Sequence, residues 1–541
     1  MNSRILSRSF LLIAFACLFT QLVVAQNPRL IVGITIDQMN DELIEKFSSN
    51  FTDDGFKKLI NNGYRYTQNR FNYIPTYTGP GYATVYTGST PSVHGIVGND
   101  WIDRATGKEI YCVVDPSETP VGGTGEGGIS PRQLRCNTLT SIIEDSTGGS
   151  AKTISIAVKD RAAVVSAGIN ADGAYWFDAH TGNWITSTYY AKELPEWVAE
   201  FNARKITKSM MNLSWSTSMA ANRYHSSLPD DNPYEGRFPG ENTSAFPHFI
   251  NGPSDTPYEN IKYSPFSNSL TTLLAIEAIR NEELGADTIT DVLAIGYSAT
   301  DYIGHRFGAG SMEVEDAFIR LDKEIAVLIK QLNESVGEGR YLLFLTADHG
   351  VAPNPDLMQM EKGEGGQFSS NLLKKTLNEK IKEKFKIDNC VTGVINFQIY
   401  LDEGRITSSK KKVATIETYV KELVSETEGV QSAYTRKDIS RSKKDPTAEL
   451  ISNGYMYPRS GNVMFSLLPY WVETRKHGSD HGSGHEYDTR VPLIFYGMNI
   501  RFGRSAESTS PADITPTVLQ LLGLNPPDDC TGRALPINGA D

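Results

Sequence analysis

Residues 30–37 read L-I-V-G-I-T-I-D, a run of apolar and small side chains that stops on a carboxylate. It shows no sustained polar alternation. Neither face of the strand it predicts meets water, so the sheet around it must be covered on both sides. The same construction recurs along the chain. Residues 153–158 (TISIAV) lead into Lys159-Asp160-Arg161, and residues 292–297 (VLAIGY) into Ser298-Ala299-Thr300-Asp301. Residues 341–346 (YLLFLT) lead into Ala347-Asp348-His349-Gly350, and residues 491–496 (VPLIFY) follow a histidine-rich loop. Helical periodicity lies between these runs. Across 313–332, Val314, Phe318, Leu321, Ile325, Leu328 and Leu332 recur at steps of three and four and form one apolar stripe. Residues 516–522 (PTVLQLL) carry Pro516 where a first helical turn accepts it and Gly523 where a helix ends. Strands alternating with helices predict an α/β fold, a mainly parallel β-sheet sandwiched by helices.

In such sheets ligands collect beyond the C-terminal ends of the strands. Asp37, Lys159, Arg161, Asp301, Asp348 and His349 each fall just past a predicted strand. One architecture therefore gathers residues separated by hundreds of positions, and that coincidence outweighs any single motif.

The chain has 541 residues, 39% hydrophobic and 21% charged, with a net charge of −12. This is the composition of a soluble globular protein, and its acidity argues against nucleic acid or an anionic membrane as partner. Arg4 and Arg8 precede an apolar stretch over residues 10–24, and Val23-Val24-Ala25 makes a cleavage box. The stretch is short of the roughly 20 residues a membrane span needs. Residues 1–25 are thus expected to be a signal peptide and the mature chain to be secreted, into a bacterial periplasm. A lipoprotein signal ending at Cys17 is the second reading; bulky Phe15 and the apolar residues beyond Cys17 weaken it. Cys112, Cys136, Cys390 and Cys530 remain, and their spacing does not choose among the possible pairings.

A catalytic α/β domain is expected over 26–354 and 471–541. An insertion rich in Trp, Tyr, Asn and Pro falls at about 165–265. Residues 355–470, rich in Lys and Glu, are expected to form a small α+β cap, with helices over 371–385 and 412–426 and a strand over 394–401.

The chemistry lies in scattered polar residues. Asp301 and His305, four apart, share a face if their segment is helical. Asp348 and His349 are adjacent, and Gly350 permits the sharp turn that would aim both at one ion. The loop H-G-S-D-H-G-S-G-H offers His477, His481 and His485, which spacing does not separate. With Asp37 these make an Asp/His inventory for two divalent ions of the zinc type. Each piece also has a plain structural reading: a surface pair, a turn closing a strand, a solvated glycine-rich loop. His94, His180, His225 and His248 have no acidic partner at ligand spacing and read as ordinary polar histidines.

Thr78, in P-T-Y-T-G-P-G, precedes Pro80 and should sit near a helix N-terminus, as a cap or as a nucleophile beside a bound anion. A nearby metal would stabilise its alkoxide without a histidine base. Asn99, in G-I-V-G-N-D-W, is a turn residue or a donor to a phosphoryl oxygen. Lys159 and Arg161 form an exposed charged loop or a cation pair for a dianionic substrate.

Taken together these segments resemble the alkaline phosphatase superfamily, most closely its secreted PafA-type phosphate monoesterases. The markers are G-I-T-I-D-Q-M, P-T-Y-T-G-P-G, H-G-I-V-G-N-D-W, V-K-D-R-A, S-A-T-D-Y-I-G-H-R-F-G, T-A-D-H-G and A-D-I-T-P-T-V-L-Q-L-L-G, spread over nearly the whole mature chain. The resemblance implies two Zn²⁺ per subunit. Asp301, His305 and His481 would hold one; Asp37, Asp348, His349 and Thr78 would hold the other. It selects His481 because the family's last histidine lies six residues before a Tyr-Asp pair, here Tyr487-Asp488. It implies hydrolysis of phosphate monoesters through a phosphothreonine on Thr78. Asn99, Lys159 and Arg161 would bind the substrate oxygens of small-molecule phosphates, in a chain expected to be a monomer with no stable membrane insertion. The chain departs from the pattern at Tyr82, where relatives often carry His. Tyr82 is at no ligand position, so only fine tuning is expected. The alternatives are a diesterase of the nucleotide pyrophosphatase type and, in a different class, a catalytically silent zinc-binding protein. A sulfatase is disfavoured because the C/S-x-P-x-R pattern is absent.

Overall fold

The computed structural model describes residues 27–124, 128–252, 255–440 and 445–537. The expected signal peptide over 1–25 lies outside them. The main sheet has ten strands. In chain order they are β1 (Leu30–Ile36), β2 (Tyr64–Asn69), β3 (Pro120–Val121), β4 (Thr153–Ala157), β5 (Gly173–Asp178), β6 (Asn183–Ser187), β7 (Asp291–Tyr297), β8 (Tyr341–Thr346), β9 (Leu493–Gly497) and β10 (Gly503–Thr509). They lie side by side as β10-β2-β9-β8-β1-β7-β4-β5-β6-β3.

The block β5-β4-β7-β1-β8 is parallel throughout. Every residue of β1, β4, β7 and β8 is buried, as the unbroken runs require. Alternation divides the side chains between two cores. Leu30, Val32, Ile34 and Ile36 enter one, and Ile31 enters the other with Phe344. Truncating one of these to alanine costs roughly 2–5 kcal/mol.

The β9 strand runs antiparallel to β8 and to β2. The chain reaches it from the histidine-rich loop, which is already tied to the C-terminal end of β8: Gly350 N–H donates to Asp488 O at 2.7 Å and Val351 N–H to Tyr487 O at 2.9 Å. A strand that starts at that end must run back.

The helix Met312–Leu332 presents the expected apolar stripe, and Ser311 caps it by accepting from Val314 N–H. It also buries acids. Asp316 is held by Trp215 Nε1 at 2.7 Å and the Tyr224 hydroxyl at 2.5 Å, both from the aromatic-rich stretch. That stretch is not separate from the sheet at its start, since β5 and β6 lie within it.

A second sheet has four antiparallel strands, in the order Val391–Ile395, Gln398–Leu401, Val463–Leu467, Val430–Thr435. The helices Ser370–Phe385 and Val413–Ser425 contribute Leu373, Leu377, Ile381, Ile416, Val420 and Val424 to its own core. The single strand expected over 394–401 is instead broken by a hairpin turn between Val391–Ile395 and Gln398–Leu401. Asn396 and Phe397 turn it with φ of 53° and 59°. Two successive positive φ values make a tight hairpin turn, and Asn-Phe lacks the glycine that usually announces one.

Candidate active site

The residues past the strand ends converge. Asp37 follows β1 and is fully buried, with its N–H donating to Tyr297 O at the end of β7 at 3.0 Å. The helix Ala299–Phe307 starts just after β7, with Asp301 in its first turn and His305 in its last. Their spacing places Asp301 Oδ1 3.2 Å from His305 Nε2. His481 Nε2 lies 3.6 Å from the same oxygen. Among the described residues, Asp301, His305 and His481 offer three ligand atoms within 4.8 Å of one another. His485 instead turns to Leu467 O at 2.9 Å. Past β8, Asp348 and His349 are fully buried, with Asp348 Oδ2 3.2 Å from His349 Nε2. A Cβ on Gly350 would lie 2.1 Å from Tyr487 O, so this turn passes the histidine loop only as glycine.

Two observations show that these side chains suit metal ions. The buried atoms Asp37 Oδ2, Asp348 Oδ2 and His349 Nε2 have ion-pair neighbours but make no well-directed hydrogen bond, although buried polar atoms nearly always make one. Each histidine also has Nδ1 within hydrogen-bond reach of a backbone carbonyl: His305 of Ser479 O at 2.9 Å, His481 of Thr76 O at 2.8 Å, His349 of Gly350 O at 2.9 Å. Donation from Nδ1–H leaves every Nε2 with a lone pair facing inward, the arrangement of a metal-binding imidazole.

Lys159 sits between the two groups. Its Nζ is 2.6 Å from Asp301 Oδ2, 3.0 Å from Asp37 Oδ2 and 3.3 Å from Thr78 Oγ1. Burial disfavours the ammonium, but Asp301 and Asp37 hold its pKa above the ordinary value. Burial raises Asp37 to about 6, against the pull of Lys159 and with repulsion from Asp348 and Asp301. Burial also opposes ionisation of Asp301, yet His305, Lys159 and His481 hold its carboxyl well below the usual range.

Thr78 is the first residue of the helix Thr78–Thr87, and the cap is Tyr77, which offers no side-chain bond. The threonine hydroxyl is thus not consumed in capping and stands at the positive end of the helix. A Cβ on Gly81 would lie 2.1 Å from Asp348 O, so this glycine lets the helix lie against the Asp348 backbone. Asn99 Oδ1 accepts from the N–H of Gly79, the residue after Thr78, at 2.8 Å, so this bond does not consume the amide Nδ2 donor. Arg161, on the helix Asp160–Ala167, reaches the Tyr111 hydroxyl at 3.4 Å, and Asp160 accepts from that same hydroxyl.

Two contributors had no signal in the motif spacing. Tyr82 donates to Asp37 Oδ1 at 2.5 Å, one turn along from Thr78. Gln38 bonds Asp348 and Asp301, one residue from each group. His248 corrects the reading as an ordinary polar histidine. It lies between Glu241 and Glu313, at 3.2 and 3.0 Å: the first comes from the loop just before it and the second from the distant helix Met312–Leu332. Among the described residues Cys112, Cys136, Cys390 and Cys530 form no disulfide, and the first three are buried. No described helix is long and apolar enough to cross a membrane.

Comparison with known proteins agrees with this geometry. The sequence profile described as type I phosphodiesterase / nucleotide pyrophosphatase matches residues 31–489. A Myroides odoratus protein named calcium-transporting ATPase is 38% identical, over 98% of each chain. Alkaline phosphatase PafA of Elizabethkingia meningoseptica is 37% identical over 94% of each chain. Alkaline phosphatase PhoV of Synechococcus elongatus is 36% identical over 94% of this chain and 92% of its own. The crystal structure of wild-type PafA superposes with a TM-score of 0.90, covering 94% of this chain and 98% of that one. On the match and the site together, the chain belongs to the type I phosphodiesterase / nucleotide pyrophosphatase family of the alkaline phosphatase superfamily.

Proposed function

We propose that the protein is a secreted, zinc-dependent alkaline phosphatase that hydrolyses phosphate monoesters of small molecules. The observation that carries this reading is the Lys159 ammonium 3.3 Å from Thr78 Oγ1, between the two ligand groups. Asp301, His305 and His481 would hold one zinc, and Asp37, Asp348, His349 and Thr78 the other. When bound, the two ions would supply Lewis-acid stabilisation of the Thr78 alkoxide and of the leaving oxygen.

The chain's own groups do the rest. The Thr78 oxygen attacks phosphorus in line, the ester oxygen leaves with its electron pair, and the phosphoryl group rests on Thr78. Water then attacks phosphorus from the face the leaving group vacated, the Thr78 Oγ1–P bond breaks with a water proton passing to the threonine oxygen, and phosphate departs with net retention. Lys159 and the Asn99 amide bind the non-bridging oxygens, and the helix N-terminus at Thr78 favours their charge. Arg161 completes this set from the neighbouring helix. The second sheet, within residues 355–470, acts as a cap over a catalytic domain formed by 26–354 and 471–541. The mature chain works as a monomer in the periplasm, after loss of residues 1–25.

The family's description favours a second reading, a phosphodiesterase. Lys159 discriminates, because a monoester dianion presents a charged oxygen that a diester lacks. The test is zinc-loaded protein assayed at alkaline pH on a matched aryl phosphate monoester and diester. A strong monoester preference, lost on chelation, is expected. A diester preference moves the chain to the diesterase branch, and turnover of neither leaves a silent zinc-binding protein.

A further inference from the structure

Gln38 follows Asp37 directly, is 3% exposed, and holds φ at 60°. That left-handed conformation is uncommon for a residue with a Cβ and gathers at functional sites. Here its two donors serve different ligand groups. The backbone N–H donates to Asp348 Oδ1 at 3.1 Å. The side-chain Nε2 donates to Asp301 Oδ1 at 2.8 Å. The latter oxygen is the one that faces His305 Nε2 and His481 Nε2. A carboxylate oxygen has the lone pairs to accept this N–H and still face a cation.

The fold makes room for the amide. A Cβ on Gly304 would stand 1.8 Å from Gln38 Oε1, so the helix that carries Asp301 and His305 has glycine where the amide passes. Backbone strain, two bonds to two ligand groups and a cleared path all converge on one side chain.

We propose that Gln38 is a positioning residue that holds the Asp301–His305–His481 group in register with the Asp37–Asp348–His349 group. Its amide orients Asp301 while its backbone orients Asp348, and the pair of bonds fixes the two carboxylates relative to each other. The assignment rests on the zinc-ligand reading above. Groups that orient metal ligands typically change metal affinity 10- to 100-fold when removed.

The test is stepwise zinc binding to metal-stripped protein, read by competition with a chromophoric chelator, with thermal melting of the stripped forms. Gln38→Met keeps side-chain length, loses the donor and retains the backbone N–H. The parent is expected to bind two zinc ions. Q38M is expected to bind one as tightly as the parent and the other roughly 10- to 100-fold more weakly, with stripped forms that melt alike. Two parent-like affinities in Q38M overturn the positioning role. So does a large drop in stripped-form melting with both ions weakened equally, since that marks a packing role. A parent that binds fewer than two ions overturns the ligand reading itself. If Q38M does not fold, Gly304→Ala decides. It displaces the amide without altering Gln38 and should weaken one ion alone; unchanged binding refutes the proposal.

Discussion

Lys159→Ala should cost monoester turnover far more than diester turnover. The ammonium is 1% exposed, 3.3 Å from Thr78 Oγ1 and within 2.6 and 3.0 Å of Asp301 and Asp37. Those two carboxylates keep it charged through the alkaline range against the effect of burial. A hydrogen bond from a charged donor is worth about 1.5–3 kcal/mol net. At about 1.4 kcal/mol per decade that is roughly a 10- to 150-fold loss in kcat/KM. The loss should fall on the substrate with the extra charged oxygen. The assay compares kcat/KM for a matched aryl monoester and diester on parent and variant, each with its zinc content measured. Equal losses on both substrates would mean that Lys159 acts through groups common to the two reactions. No loss would mean that it does not reach the substrate. Either result refutes the reasoning. The metal-stripped variant should also melt lower than the stripped parent, because Asp37 and Asp301 lose their buried counter-ion.

Three further outcomes are expected. Thr78→Ala should remove nearly all turnover of protein assayed in excess zinc; near-normal turnover would end the nucleophile assignment. Tyr82→Phe removes the donor to Asp37 Oδ1 and should weaken one zinc roughly 10-fold or more, whereas parent-like zinc titration would reduce Tyr82 to packing. Burial alone would lower His248, but Glu241 and Glu313 raise it to about 9. Its contribution is fully present below about 6.5, its ordinary value, and is lost as pH rises through 9. A rise from 6.5 to about 9 corresponds to about 3 kcal/mol. Thermal melting of the parent should therefore fall between those pH values, and His248→Gln should flatten that slope; an unchanged slope would show that His248 is not its source.

Much of the sheet was legible because burial on both faces leaves a mark that needs no partner to read. The runs ending at Ile36, Tyr297 and Thr346 are apolar whatever lies beside them, and the chemistry after each is a matter of chain order. The stripe on Met312–Leu332 was equally plain, because a helix must show one face to a core. The hairpin at Asn396-Phe397 was not legible, since its φ values are imposed by strand pairing rather than announced by glycine. The direction of β9 was hidden too. It depends on where the histidine loop is anchored, and that anchor is a pair of backbone bonds to Gly350 and Val351.

The site divides along the same line. Residue type and order alone determined that Asp and His ligands, a threonine at a helix start and a lysine past a strand were available. Only the tertiary structure decided which atoms face one another. It brought His481 rather than His485 to Asp301, turned the His305 and His481 imidazoles by carbonyls from other segments, and set Lys159 between carboxylates that follow β1 and β7. It also recruited Gln38 and Tyr82, whose bonds to the Asp301 and Asp37 carboxylates have no local pattern. The physical reason is range. Apolar periodicity is a property of consecutive residues, whereas a ligand cage is a set of distances between segments that meet only once the sheet has formed.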